Sequence, residues 1–255
     1  MKIAVISDIH GNLPGLEAVL EDIQRHSVDK IICLGDMIGK GPNSAEVIDL
    51  CRQHCDLIVR GNWDFGHYEH YCDVKEGKKE PDEYAEKIGF LGPERLEYLG
   101  QLPHCTEIIM SGKLIRLFHA HPLNFNRYFA DSPIEQRREL FGPGLDTTIQ
   151  QESDVAIYGD IHSTYFQTVD GKMLINAGSV GNPLDITQAS YLLLEGEENS
   201  ETSAPLGVQF MRIPYDIARA VALTQNSTMP EWDKALYITE ITTGVYRGNQ
   251  PAPKE

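Results

Sequence analysis

The chain has 255 residues, 41% hydrophobic and 24% charged, enough for one large domain or two small ones with a substantial core. A formal net charge of −16 argues against a non-specific nucleic-acid binder, which carries a basic stripe. It leaves room for an anionic substrate, because bound metal ions reverse a local field.

No apolar stretch approaches the ~20 residues of a membrane helix, so no membrane partner is expected. Met1 runs straight into a strand pattern with no basic n-region and no signal peptide, and a cytoplasmic location is expected. Cys33, Cys51, Cys55, Cys72 and Cys105 form no paired framework and read as reduced, mostly buried thiols. Cys51 and Cys55 have helical spacing, but no second Cys or His pair follows at finger spacing.

Ile3 to Ile6 is a short apolar run that suits a buried strand. Asp8 and His10 follow it. In an extended chain, side chains two apart point the same way, so both face one spot. Gly11 is a turn and Asn12 a helix cap. Leu13, Leu16, Val19, Leu20 and Ile23 then give one apolar helical face. Ile31 to Leu34 is a second strand, ended by Gly35 and Asp36. Asn43 and Glu46 have capping-box spacing for the next helix. Leu57 to Val59 is a third strand, followed by Gly61, Asn62, Trp63 and Asp64. Three β-loop-α units predict a parallel sheet with polar residues at its ligand side.

From Phe65 to about Pro103 the chain is charge-rich and aromatic-rich. It reads as a helical excursion, with helices near 82–88 and 94–99. His67, Tyr68, His70 and Tyr71 either rim a pocket there or lie on an exposed amphipathic helix. Glu107 to Met110 and Leu114 to Phe118 read as paired strands, and His119 and His121 stand at their end. Ser132, Pro133 and Glu135 start a helix. Val155 to Tyr158 is a strand ending in Gly159, Asp160 and His162. A hairpin runs from Phe166 to Ile175, then a small-residue loop contains Asn176, Gly178, Ser179 and Gly181. Further strands are expected at 189–194 and 207–213, and the last ~20 residues read as peripheral.

Polar clusters thus sit at successive strand ends: Asp8/His10, Asp36, Asn62, His119/His121 and Asp160/His162. Carboxylate and imidazole aimed at one spot make a metal site. The segments SDIHGN, LGDMIGKGP, VRGNWD, LFHAHP, GDIH and INAGSVGNP resemble the calcineurin-like metallophosphoesterases, in the small bacterial and archaeal phosphodiesterase branch. The resemblance covers about residues 1–195, with the motif blocks in order.

This resemblance implies an α/β fold, a four-layer α/β/β/α sandwich of two mixed sheets with helices on both outer faces. One domain over 1–255 is expected, with the excursion at about 65–103 and a peripheral segment from about 214. The resemblance implies two divalent metal ions. Asp8, His10 and His162 would hold the first, Asn62 and His119 the second, and Asp36 would bridge both. Mn²⁺ is the first choice for this donor set, with Fe, Co, Zn, Ni or Mg as alternatives. Two ions ~3.5–4 Å apart clamp a phosphate and activate a bridging hydroxide for in-line attack.

Two departures stand out. Where the family has a proton-donating His after Gly-Asn, this chain has Trp63, which holds no titratable proton. Asp64 follows it, as in the branch it resembles. Where the family has the first His of Gly-His-x-His, this chain has Asp160, which either binds the second metal as a carboxylate or turns outward or supports a ligand, leaving that metal weak or absent. His121 is then a replacement acid, a phosphate contact or a partner of a ligand. Arg127 and Arg60 are phosphate contacts or ordinary surface arginines, and Ser179 lies in the loop near the metals.

The expected activity is metal-dependent hydrolysis of a phosphodiester or a nucleotide-like phosphate. The alternatives are a dinucleoside polyphosphate hydrolase and a non-catalytic binding scaffold. The expected partner is a small phosphorylated or nucleotide substrate, and a homo-oligomer is left open.

Overall fold

The structure is a computed structural model that describes residues 1–82 and 89–246. Strands β1 (Lys2–Ile6), β2 (Lys30–Cys33), β3 (Leu57–Ile58), β9 (Ala189–Glu195) and β10 (Gly207–Ile213) form one sheet in the order β10-β9-β1-β2-β3. The first three are parallel, and β9 runs antiparallel to β1. The second sheet has β4 (Cys105–Met110), β5 (Lys113–Phe118), β6 (Val155–Tyr158), β7 (Tyr165–Val169) and β8 (Lys172–Asn176), in the order β4-β5-β6-β8-β7. It too is mixed, with β5, β6 and β8 parallel.

Alternation along β1 explains the layering. Ile3 and Val5 point into the space between the sheets, where they meet Ile115, Leu117, Val155, Ile157 and Leu192. Ala4 and Ile6 point outward and meet the helices. A strand buried on both faces reads as a continuous apolar run for this reason. Helix α1 (Leu13–Arg25) lays Leu16, Val19, Leu20 and Ile23 on that outer face beside α2 (Ser44–His54). Tyr128, Leu140 and Phe141, around α5 (Ile134–Glu139), cover the outer face of the second sheet.

Asn12 caps α1 as expected, its Oδ1 accepting the Gly15 N–H at 3.0 Å. The Asn43 side chain makes no cap bond to α2; its amide instead donates to Glu46 Oε1 at 3.2 Å. The excursion is one long helix, α3 (Asn62–Lys75), followed by α4 (Gly92–Gln101). Helix α3 begins at the third motif itself, earlier than the sequence suggests. The helix expected near 82–88 falls almost wholly outside the described residues.

Beyond residue 214 the chain forms α6 (Ile217–Gln225) and α7 (Glu231–Thr243). Tyr237, Glu240 and Ile241 of α7 are buried. No helix among the described residues is long and apolar enough to cross a membrane.

Candidate metal centre

The carboxyl ends of β1, β2, β5 and β6 meet at one rim of the sandwich. The chain does not continue extended there. Asp8, His10, Asp36, Asp160 and His162 have φ of 53°, 49°, 51°, 64° and 60°. Left-handed turns therefore aim these side chains, where the sequence reading relied on strand alternation. Asp and His are among the residues that tolerate this region, at ~1–3 kcal/mol each. The first two loops hold each other in place. Asp8 N–H donates to Gly35 O at 3.0 Å, and Ile9 and His10 N–H both donate to Asp36 O at 2.9 Å. A side chain at Gly61 or Gly159 would run into the carboxylates of Asp36 and Asp8, so only glycine fits beside them.

Three imidazoles are oriented alike. Nδ1 of His10 pairs with Ile38 O at 3.0 Å, of His119 with Leu34 O at 2.8 Å, and of His162 with Asn182 O at 2.7 Å. A backbone carbonyl accepts only N–H, so each Nδ1 carries the proton and each Nε2 turns inward. His10 Nε2 and His162 Nε2 are 3.1 Å apart, and His119 Nε2 is 3.0 Å from Asn62 Oδ1. Asp36 Oδ2 lies 3.5 Å from His10 Nε2 and 3.3 Å from His119 Nε2. Its other oxygen accepts the Trp63 N–H at 2.9 Å. Asp8 Oδ1 lies 3.2 Å from His162, 3.8 Å from His10 and 3.9 Å from His119.

Asp8 Oδ1 is fully buried yet has no hydrogen-bond partner. Inward-facing acceptors around an orphaned carboxylate oxygen fit a cation. Asp8, His10 and His162 form one group able to hold an ion, and Asp8, Asp36 and His119 another, each with ligand atoms within 4.8 Å. Asp8 joins Asp36 between the two groups, where the sequence reading gave the shared place to Asp36 alone.

The electrostatics agree with a site built for positive charge. Burial pushes the His10 imidazole well below its usual range, helped by His162 and Lys40. His119 is driven well up: burial opposes the charge, but Asp36 and Asp8 outweigh it. Without an ion, the carboxylates thus favour the protonated form of His119. Asp64 is fully buried, and burial and then Asp36 push its carboxyl up to about 7.

The sequence model of the calcineurin-like phosphoesterase superfamily domain matches residues 1–199. The chain belongs to this superfamily. It is 31% identical to an uncharacterized protein of Methanocaldococcus jannaschii, over 90% of this chain and 94% of that one. It is 25% identical to phosphodiesterase YfcE of Escherichia coli, over 77% of this chain and 89% of that one. A solved metallophosphoesterase of Sphaerobacter thermophilus superposes with a TM-score of 0.72, at 26% identity, covering 96% of this chain and 99% of that one.

Within this superfamily frame the remaining expected residues fall in different places. Asp64 does not point at the ligand atoms. It accepts N–H bonds from Asp36 at 2.8 Å, Gly61 at 3.0 Å and Met37 at 3.1 Å, tying the second and third motif loops together. Both oxygens of Asp160 bond Arg127, from Nε and Nη2 at 2.8 Å each. Asp160 Oδ1 still lies 3.9 Å from His119 Nε2, so this fork borders the centre. Ser179 is buried; its hydroxyl donates to Asp8 O at 2.6 Å and accepts the Asn182 N–H at 2.8 Å. It braces the site and is sealed from a substrate. Arg60 stacks on Phe65, its guanidinium carbon 4.2 Å from the ring centroid.

His121 turns away. Strand β5 stops at Phe118, so i+2 alternation does not extend to it. Its Nδ1 accepts the Leu123 N–H at 3.1 Å, its ring packs edge-on to Tyr128, and Glu139 is 3.7 Å from Nε2. Trp63 fills the acid position. It covers Gly39 and meets His10 edge-on at 5.6 Å between ring centroids. Sequence reasoning missed Lys40 and Asn182, though both lie in quoted motif blocks, and Glu240, which no motif marks.

Proposed function

We propose that this protein is a metal-dependent phosphoesterase that hydrolyses a phosphodiester or a nucleotide-like phosphate at a dinuclear centre. The observation that carries this reading is the inward set of acceptors: three Nε2 atoms, Asn62 Oδ1 and the orphaned Asp8 Oδ1. Asp8, His10 and His162 would hold one ion, and Asp36, His119 and Asn62 the other, with Asp8 and Asp36 between. When bound, two divalent ions supply Lewis acidity and lower the pKa of water. The mixed set of carboxylate, amide and imidazole donors suits Mn²⁺ among the divalent transition metals.

The chain's own residues do the rest. Arg127, 43% exposed, presents its guanidinium beside the centre, held in plane by Asp160. It is the contact for a phosphate oxygen, since the fork matches that geometry. Trp63 excludes water on the His10 side and donates no titratable proton. This favours leaving groups that depart as stable anions, such as an aryl oxide or the phosphate of a phosphoanhydride. Cleavage of a dinucleoside polyphosphate is therefore the second reading.

The test uses metal-stripped protein, assayed with and without Mn²⁺ on bis(p-nitrophenyl) phosphate and on diadenosine tetraphosphate. Turnover is expected only with metal. Equal turnover by metal-free protein in excess chelator would sink the proposal.

A further inference from the structure

Helix α7 lies beyond residues 1–199, the part that matches the superfamily domain. One of its side chains nevertheless reaches the supports of two ligand histidines. Glu240 Oε2 accepts from Asn182 Nδ2 at 3.0 Å and from Lys40 Nζ at 3.0 Å. Lys40 Nζ also donates to Asn182 Oδ1 at 2.6 Å, closing a triangle. The Lys40 and Glu240 side chains are only 15% and 4% exposed. Water therefore competes little, and charge-assisted bonds in such a place are strong.

The triangle bears on the carbonyls that orient the first group. Asn182 O is the acceptor for His162 Nδ1. Ile38 O, two residues before Lys40, is the acceptor for His10 Nδ1. The loop is closed on the site by Gly41 N–H, which donates to His10 O at 2.8 Å. Tyr237 of α7 adds a bond to Gly181 O at 3.4 Å, in the loop that carries Asn182. The other group is supported differently. His119 leans on Leu34 O, Asn62 starts α3, and Asp36 is held by Trp63 N–H. None of these bonds runs to α7.

We infer that Glu240 is a positioning residue that tunes the Asp8–His10–His162 metal site from the C-terminal helix, through Asn182 and Lys40, and leaves the Asp36–His119 site alone. The inference rests on the metal-centre reading above. Partners that orient a ligand imidazole typically change metal affinity ~10–100-fold when removed.

The experiment titrates Mn²⁺ into wild-type protein and Glu240→Gln, counting bound ions by the loss of the free-ion paramagnetic resonance signal. Anomalous density from Mn²⁺-soaked crystals assigns each ion to its group. Wild-type protein should bind two ions. Glu240→Gln should weaken one of them ~10–100-fold, at the Asp8–His10–His162 group, with the other unchanged. Lys40→Met, which removes both Lys40 bonds but keeps the bond from Asn182 Nδ2 to Glu240, should weaken the same site by less, and it serves if Glu240→Gln does not fold. Unchanged affinities, an equal loss at both sites, or loss at the Asp36–His119 group would overturn the inference. Wild-type protein that binds no Mn²⁺ overturns the metal centre itself, and the inference with it. Two ions in wild type and two unchanged ions in the variants overturn the positioning role alone.

Discussion

His10 Nε2 and His162 Nε2 stand 3.1 Å apart, each turned inward by a carbonyl on its own Nδ1. Two nitrogen lone pairs cannot bond each other, so the pair needs a cation or a proton between them. His119 faces Asn62 Oδ1 in the same way. There the nearby Asp36 and Asp8 raise the imidazole well above its usual range against the effect of burial. In metal-free protein these carboxylates therefore favour the protonated His119 imidazole. An ion must displace that proton, because only neutral imidazole ligates.

Mn²⁺ binding is thus expected to release a proton and to weaken as pH falls from 8 to 6. Calorimetry in buffers of different ionisation enthalpy counts the proton directly. Binding with no proton release, at an affinity flat across that range, would show that His119 carries no extra proton before the ion binds.

His121→Ala is expected to leave turnover within about threefold of wild type on aryl and alkyl leaving groups alike. A general acid would contribute ~10²–10⁴-fold, but this imidazole faces Glu139, Tyr128 and Leu123. The variant should instead lose ~0.5–1.5 kcal/mol of stability, the net worth of the bond from the Leu123 N–H. A large loss confined to alkyl leaving groups would restore the acid role.

These two histidines show what the sequence could and could not tell. The strands were legible because most are short apolar runs bounded by Gly or a polar turn. The residue types gathered at this rim were legible because they sit at strand ends in family order. Side-chain direction was not. Asp8 and His10 converge through positive φ, which no alternation rule anticipates. His121 diverges because β5 ends three residues earlier. Asp160 depends on Arg127, 33 residues away, and Glu240 reaches Asn182 from 58 residues away. Contacts at such separation leave no local pattern.

The Arg127–Asp160 fork gives a second contrast. With both oxygens bonded to the guanidinium, Asp160→Ala should still bind two Mn²⁺ per chain. Its KM should rise instead, because Arg127 loses the partner that fixes its plane. Arg127→Ala should raise KM at least as much, with ~1–3 kcal/mol lost in kcat/KM, the usual worth of a charge-assisted bond. A drop to one bound ion in Asp160→Ala, with KM unchanged, would make Asp160 a metal ligand.

The last prediction concerns stability far from the centre. Arg116 on β5 is fully buried, an unusual place for a guanidinium. It holds the 141–151 segment by donating to the carbonyls of Phe141 at 3.0 Å, Gly142 at 2.6 Å and Ile149 at 2.9 Å. Its carboxylate partner is Glu107, 3.3 Å away on the neighbouring strand β4. Glu107 Oε1 also accepts from Thr148 N–H and Oγ1–H at 2.8 Å and from Ile149 N–H at 2.9 Å. Burial raises the Glu107 carboxyl, but the Ile149 and Thr148 donors and Arg116 together bring it below its ordinary value of 4.5. A carboxyl depressed in the folded state contributes stability that is complete above the unfolded value. That contribution is lost as pH falls through the folded one. Glu107→Gln should therefore cost ~1–3 kcal/mol at pH 7 and progressively less below about pH 4.5. Arg116→Met should cost more, ~3–5 kcal/mol, as expected when one partner of a buried ion pair is removed. Urea unfolding of metal-free protein at pH 7 and at pH 3.5 measures both. A Glu107→Gln cost that is the same at both pH values would mean that the charge on Glu107 does not help hold the 141–151 segment.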